Sequence, residues 1–228
     1  MTDRRRLLAE MEERSVNFEP SELPEVATDP WHVDDYCRPL PGEPAGEPLA
    51  DGSFASARQL MMDYEFADPR MVRAVYDADA PLLGRTMLLE IRFYLVRVFT
   101  GVRVSEVFDE VRDTDDGPAR IWGWAYRTLE GHLERGQMDY QVWKWLDSGR
   151  IEFRIHAVSE LIGSPNPVLH AGFRLVGRRE QTRFARHCGE RMESFVTQRL
   201  ERGPGTGPTP DRVGGAKVSP ATDEPAPD

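Results

Sequence analysis

Between Ala119 and Leu161 the chain alternates apolar and polar positions in three runs, ARIWGWAYRTL, QMDYQVWKWL and RIEFRIHAVSEL, separated by the turn-forming GHLERG and LDSG. A period of two marks strands with one buried face, and such short connections predict antiparallel neighbours. Upstream, TMLLEIRFYLVRVF is rich in β-branched and aromatic residues, breaks at Gly101 and resumes as VRVSEVFDEVR before the turn TDDGPA, which predicts two more strands. SARQLMMDYEF alternates well enough for a first strand. Asp68-Pro69 then reads as an N-cap with proline at the first helical position. The short helix so predicted carries Met71, Val72, Val75 and Tyr76 on one side and stops near Pro81.

The last apolar pattern changes period. Phe184, Cys188, Met192, Phe195 and Val196 follow spacings of four, four, three and one, a helix stripe rather than a strand face. The helix is expected to start after Ser164-Pro165-Asn166-Pro167 and to run toward Leu200. Gly172, Gly177 and Gly189 each weaken it by up to about 1 kcal/mol against alanine, and Gly177 is the natural place for a break. The fold class predicted is α+β: an antiparallel curved sheet of about six strands gripping a long C-terminal helix. The space between the two layers is either a packed core or a ligand cavity.

With 228 residues, 39 % of them apolar, the chain has the means for one ordinary domain. Its flanks differ from its centre. Residues 1–53 form an N-terminal extension, rich in Pro, Glu, Asp and Gly from Phe18 on, in which Trp31, Tyr36 and Cys37 are the side chains able to pin an otherwise extended segment. Residues 54–201 are read as the folded unit and 202–228 as a disordered low-complexity tail. A formal net charge of -10 argues against nucleic acid or an anionic membrane surface as partner. Cys37 and Cys188 supply neither a disulfide framework nor a metal knuckle, which suits a reducing cytoplasm. The opening MTDRRRLLAEMEERSV lacks a secretory apolar core, and no run reaches the roughly 18 apolar residues of a membrane span.

Candidate chemistry concentrates between Trp122 and Gly136. In a strand, Trp122, Trp124, Tyr126 and Thr128 share one face, which either packs as core or lines a cavity. Glu130, His132 and Glu134 follow where the alternation ends. Carboxylates beside an imidazole can orient it and raise its proton affinity for acid/base work, or join it on a divalent metal. The simpler alternative is a solvated turn, in which Gly131 and Gly136 supply positive φ angles. Gln181 lies on or beside the apolar stripe of the last helix and needs partners there. Arg178, Arg179, Arg183 and Arg186 read as that helix's wet face. His156 falls on the strand face away from Phe153 and Ile155, and Arg85 stands at a strand mouth, able to bind a ligand carboxylate or Glu130. No Ser-His-Asp order, glycine-rich phosphate loop or paired-cysteine site is present, so no cofactor and no metal is expected.

The segments GRTMLLEIRFY, GVRV, WGWAYRTLEGHLERGQM, FRIHAVS and GFRLVGRREQTRF, spread over Ala55 to Met192, resemble a bacterial and plant family, the nineteen-ninety member of the domains of unknown function. The most specific piece is the Y-x-T-L-x-G-H-x-E-x-G core from Tyr126 to Gly136. The family typically has an acid directly after that last glycine, where this chain has Gln137. The family's element order is similar to the helix-grip superfamily of START lipid-transfer domains, polyketide cyclases and birch-pollen-allergen-like proteins. That resemblance implies a cavity for an apolar or aromatic ligand and no particular reaction. The function expected is therefore binding of a small, largely apolar ligand, with Trp122, Trp124, Tyr126, Thr128, Arg85 and Gln181 as ligand contacts. The alternatives are a cyclase- or hydratase-like enzyme with His132 as acid/base oriented by Glu130 or Glu134, and a protein-interaction module using the N-terminal extension.

Overall fold

The computed structural model describes residues 4–93, 96–162, 167–203, 211–213 and 216–220. In chain order the elements are α1 (Arg4–Glu12), β1 (His32–Leu40), α2 (Ser53–Met62), β2 (Val72–Tyr76), β3 (Thr86–Phe93), β4 (Val96–Thr114), β5 (Gly117–Thr128), β6 (Glu134–Trp145), β7 (Ile151–Leu161), α3 (Pro167–Arg202), β8 (Asp211–Val213) and β9 (Ala216–Ser219). The three alternating runs become β5, β6 and β7, paired in sequence as antiparallel neighbours.

All the strands join one sheet in the order β1-β7-β6-β5-β4-β3-β2-β9-β8. It has nine strands among the described residues rather than about six, because both flanks contribute. β1, in the extension expected to lie extended, pairs along β7 from His32 against Ser159 to Leu40 against Ile151. An edge strand needs little apolar surface of its own and tolerates Pro39, since half of its backbone groups face outward. At the other edge β9 pairs with β2 and carries β8, where a disordered tail was expected. Val218 and Ser219 are buried there. The Ser164-Pro165-Asn166 lead-in and the last eight residues of the predicted tail lie outside the described residues.

Two early elements exchange type relative to the pattern. The segment read as a first strand is the helix α2, whose buried Phe54, Ala57, Leu60 and Met61 recur every three to four residues. The segment read as a short helix is the strand β2, in which Ala74, Val75 and Tyr76 are all buried. A short strand covered on both faces reads as a continuous apolar run, and periodicity does not separate that from a helix. Gly101 lies inside β4 and is not a break. A Cβ there would come within 2.8 Å of Met11 Sδ, so the glycine lets α1 pack directly on the sheet.

α3 crosses one face of the sheet as a single helix, with no break at Gly177. Its Phe184, Cys188, Met192 and Val196 are buried in one cluster with Trp122, Trp124 and Tyr126 of β5 and Phe54, Leu60 and Met61 of α2. The large aromatic face of β5 is thus the one turned toward the helix. The opposite face is covered over β2–β4 by α1, through Leu8 and Met11 against Val75, Leu88, Leu129 and Val218. Over β5–β7 it carries Trp143 and Trp145, with Arg154 at 4.2 Å and Arg150 at 3.8 Å from the respective ring centroids.

The proline- and acid-rich segment is pinned by charge as well as by Trp31. Glu43 accepts from buried Lys144 Nζ at 2.7 Å, from the Phe54 amide at 2.9 Å and from the Leu49 amide at 3.0 Å. One carboxylate therefore pairs a lysine of β6 and satisfies an open amide in the first turn of α2, where negative charge is favoured.

Candidate functional site

Two adjoining cavities open between α3 and the sheet, of about 130 Å³ and about 60 Å³. Tyr126, His132, Glu134, Met138, Gln181 and Phe184 border both. The larger continues over Tyr64, Met71, Leu89 and Ile91, with Arg92 and Glu180 among its lining. Its volume approaches the roughly 150 Å³ of an engineered apolar cavity that admits benzene.

The loop between β5 and β6 places the polar residues. After Thr128 the chain turns through Gly131, whose φ of +83° only glycine adopts without strain. Thr128 clamps the turn: its hydroxyl donates to Asn17 Oδ1 at 2.7 Å and accepts from the Gly136 amide at 3.0 Å. His132 Nδ1 accepts from the Glu134 backbone amide at 3.0 Å. An amide can only donate, so Nδ1 holds a lone pair and the neutral ring carries its proton on Nε2. Burial pushes the His132 imidazole down to about 4.

Glu134 opens β6 and projects toward α3, where Gln181 Nε2 donates to its Oε1 at 2.6 Å. Burial pushes this carboxyl up to about 7, with Arg178 opposing the shift and Asp34 reinforcing it. Arg178 is itself ion-paired with Asp34. The wall thus holds a carboxyl group that exchanges a proton near neutral pH and an imidazole that stays uncharged there.

The predicted Glu130-His132-Glu134 cluster does not assemble as one. Glu130 is exposed and belongs to the turn's outer side: its carbonyl accepts from Arg14 at 2.8 Å and its carboxylate from the Ser15 amide at 3.4 Å. The imidazole is oriented by a backbone amide rather than a carboxylate, and its proton affinity falls instead of rising. Among the described residues no three His, Cys, Asp or Glu side chains converge on a metal-sized point.

Of the predicted ligand contacts, Tyr126, Thr128 and Gln181 border the cavities. Trp122 and Trp124 lie in the filled part of the core, Trp122 beneath the Arg58 guanidinium at 5.1 Å. Arg85 is elsewhere: it donates to the carbonyls of Ala80 and Met62 and covers the Tyr76 ring at 4.9 Å. It therefore meets neither the cavity nor Glu130. His156, on the outer face as its alternation predicts, lies 2.8 Å from Asp35. Gln137 is also on that face, accepting from Arg127 Nε at 2.8 Å, so its side chain serves the sheet surface.

The pattern missed Tyr64, Met138 and Asp34. Met138 was legible, since it falls at the right parity in β6, whereas Tyr64 reaches the cavity from the loop after α2 and carries no periodic signal. A wide depression on the outer face, around Asp35, Cys37, Asp139, Gln141, Arg154 and His156, is a weaker candidate. Its polar groups pair with near neighbours: Cys37 and Arg154 with Glu152, Trp143 with Gln141, and Gln137 with Asp139.

No helix of the described residues is long and apolar enough to cross a membrane. No curated protein matches the chain. Among solved structures, Ara h 8.0201 is similar at 9 % identity and TM-score 0.40, over 74 % of this chain and 99 % of its own. A norcoclaurine synthase point mutant of Thalictrum flavum, in complex with a transition-state analogue, is similar at 10 % identity and TM-score 0.44, over 75 % and 96 %. A hypothetical protein of Helicobacter pylori is similar at 14 % identity and TM-score 0.45, over 80 % and 96 %. A family model matches residues 13–191, from the end of α1 through most of α3, so the chain belongs to the family described as Domain of unknown function (DUF1990).

Proposed function

We propose that the protein binds a small, largely apolar ligand in the space between the sheet and α3. The observation that carries this reading is the cavity of about 130 Å³ whose wall combines Met71, Leu89, Ile91, Met138 and Phe184 with a few polar side chains, His132, Glu134 and Gln181 among them. Apolar surface supplies affinity and a few placed polar groups supply orientation, the usual division of labour in small-molecule sites. Aromatic Tyr126 and Tyr64 add wide ring surface to the same wall.

Native against denaturing mass spectrometry of the purified chain tests the proposal, together with titration of single-ring apolar probes followed through the methyl signals of Met71 and Met138. A small mass released on unfolding, or saturable shifts of those two methyls, supports binding. No released mass and no shift with any probe would overturn it.

A further inference from the structure

Three tyrosine hydroxyls meet beside the cavity with too few partners. Tyr126 Oη donates to Met138 Sδ at 3.5 Å and Tyr140 Oη to the same sulfur at 2.9 Å. A thioether is a weak acceptor, and here it serves two donors at once. The Tyr64 hydroxyl, on a side chain that is 1 % exposed, makes no hydrogen bond of good geometry among the described residues, although the Tyr140 hydroxyl is near enough to favour its ionised form. Trp124, 5.1 Å from Tyr140 between ring centroids, leaves its Nε1–H equally unpaired. Across the same cavity the tautomer of His132 makes Nε2–H a donor, and no described residue accepts from it.

Tyr64 is costly in a second way. Directly after α2 it takes φ of +56°, the left-handed region in which a helix usually ends on glycine. A large residue there persists only where its side chain is needed, and in this position the ring borders the cavity. Hydroxyls and ring nitrogens buried without acceptors are unstable until something supplies one. The charges at the wall do not suit an anion: Glu134 and Glu180 border the cavity, and Arg92 faces the buried Glu90 at 3.4 Å.

We propose that the ligand is neutral and carries a hydrogen-bond acceptor of carbonyl type, received by the Tyr64 hydroxyl and by His132 Nε2–H, with its apolar body against Leu89, Ile91 and Phe184. This rests on the binding reading above and deepens it by naming the chemical class. Ketones, aldehydes, lactones and esters of single-ring size fit; carboxylates and hydrocarbons lack one requirement each.

Two probes of nearly equal shape separate the inference from the reading beneath it. Cyclohexanone presents the acceptor and methylenecyclohexane does not. Both are titrated into the full chain and into Tyr64→Phe, with the Met71 and Met138 methyl signals as readout. The substitution removes only an unpaired buried hydroxyl, so folding is retained, and His132→Phe repeats the comparison from the other donor. The expected result is that Tyr64→Phe weakens cyclohexanone about five- to tenfold and leaves methylenecyclohexane unchanged. If both probes bind and neither substitution distinguishes them, the carbonyl inference is overturned while the apolar cavity stands. If neither probe binds the unmodified chain, the binding reading fails and the inference with it.

Discussion

Glu134 and His132 share one wall of the cavity, and their proton affinities move in opposite senses for the same reason. Burial disfavours the charged form of each, raising the carboxyl from 4.5 to about 7 and lowering the imidazole from 6.5 to about 4. For Glu134 the folded state holds its proton longer than the unfolded chain, so its contribution is most favourable below about 4.5 and is lost as pH rises through 7. For His132 the unfolded chain takes the proton first, so stability is intact above 6.5 and is lost as pH falls through about 4. Between 4.5 and 6.5 the two slopes oppose each other, and the unmodified protein hides both. At about 1.4 kcal/mol per unit, shifts of this size cap each effect at about 3 to 4 kcal/mol. Solvent reaches both half-buried side chains, which brings the expected amplitude to about 2 kcal/mol. Glu134→Gln keeps an acceptor for Gln181 and removes one titration. Its stability relative to the unmodified protein should therefore rise by about 2 kcal/mol between pH 4.5 and 7, leaving the His132 slope bare: the variant itself loses about 2 kcal/mol as pH falls from 6.5 to 4. His132→Phe does the converse, losing a similar amount as pH rises from 4.5 to 7. Urea unfolding at half-unit pH steps reads both curves as differences from the unmodified chain, so that other titrating groups cancel. Flat difference curves, or slopes of the opposite sign, would refute the burial argument for this wall.

Two further outcomes test how the flanks are fastened. Lys144→Met leaves Glu43 buried without its cation and should cost about 3 to 5 kcal/mol by urea unfolding, a loss that adding Glu43→Gln partly restores. Ending the chain at residue 210 removes β8 and β9, the burial of Val218 and the Lys217–Asp63 ion pair at 2.6 Å. The expected loss is about 2 to 4 kcal/mol, and an unchanged unfolding midpoint would show that the tail contributes nothing to the sheet.

What was legible in the sequence is what repeats. The large apolar residues that β5, β6 and β7 turn toward α3, such as Trp122, Trp124, Tyr126, Tyr140, Val142, Phe153 and Ile155, fall at alternate positions, so that alternation survives in the residue order, and the stripe from Phe184 to Val196 marks α3 because one side of that helix meets the sheet. The elements that were misread lack such asymmetry. β2 is buried on both faces, and α2 mixes Ser53, Ser56 and Gln59 among its apolar positions closely enough to imitate a strand. β1 and β9 were invisible for another reason: an edge strand is recognised by the strand it pairs with, and neither Ile155 opposite Tyr36 nor Val75 opposite Val218 is near in sequence.

The site divides along the same line. Tyr126, Glu134 and Gln181 were found because each sits at a definite parity or helical spacing. Their roles were not, because a role depends on partners: His132 and Glu130 look alike as polar residues two apart, yet one turns into the cavity and the other to Arg14 and Ser15. Tyr64 shows the limit most clearly. Its position is set by a left-handed residue after a helix that the alternation took for a strand, and its unpaired hydroxyl is visible only once Tyr140, Tyr126 and Met138 have been brought to it from two other strands. The feature on which the proposed ligand chemistry rests is therefore an unmet hydrogen bond, a property of the assembled wall and of no single stretch of the chain.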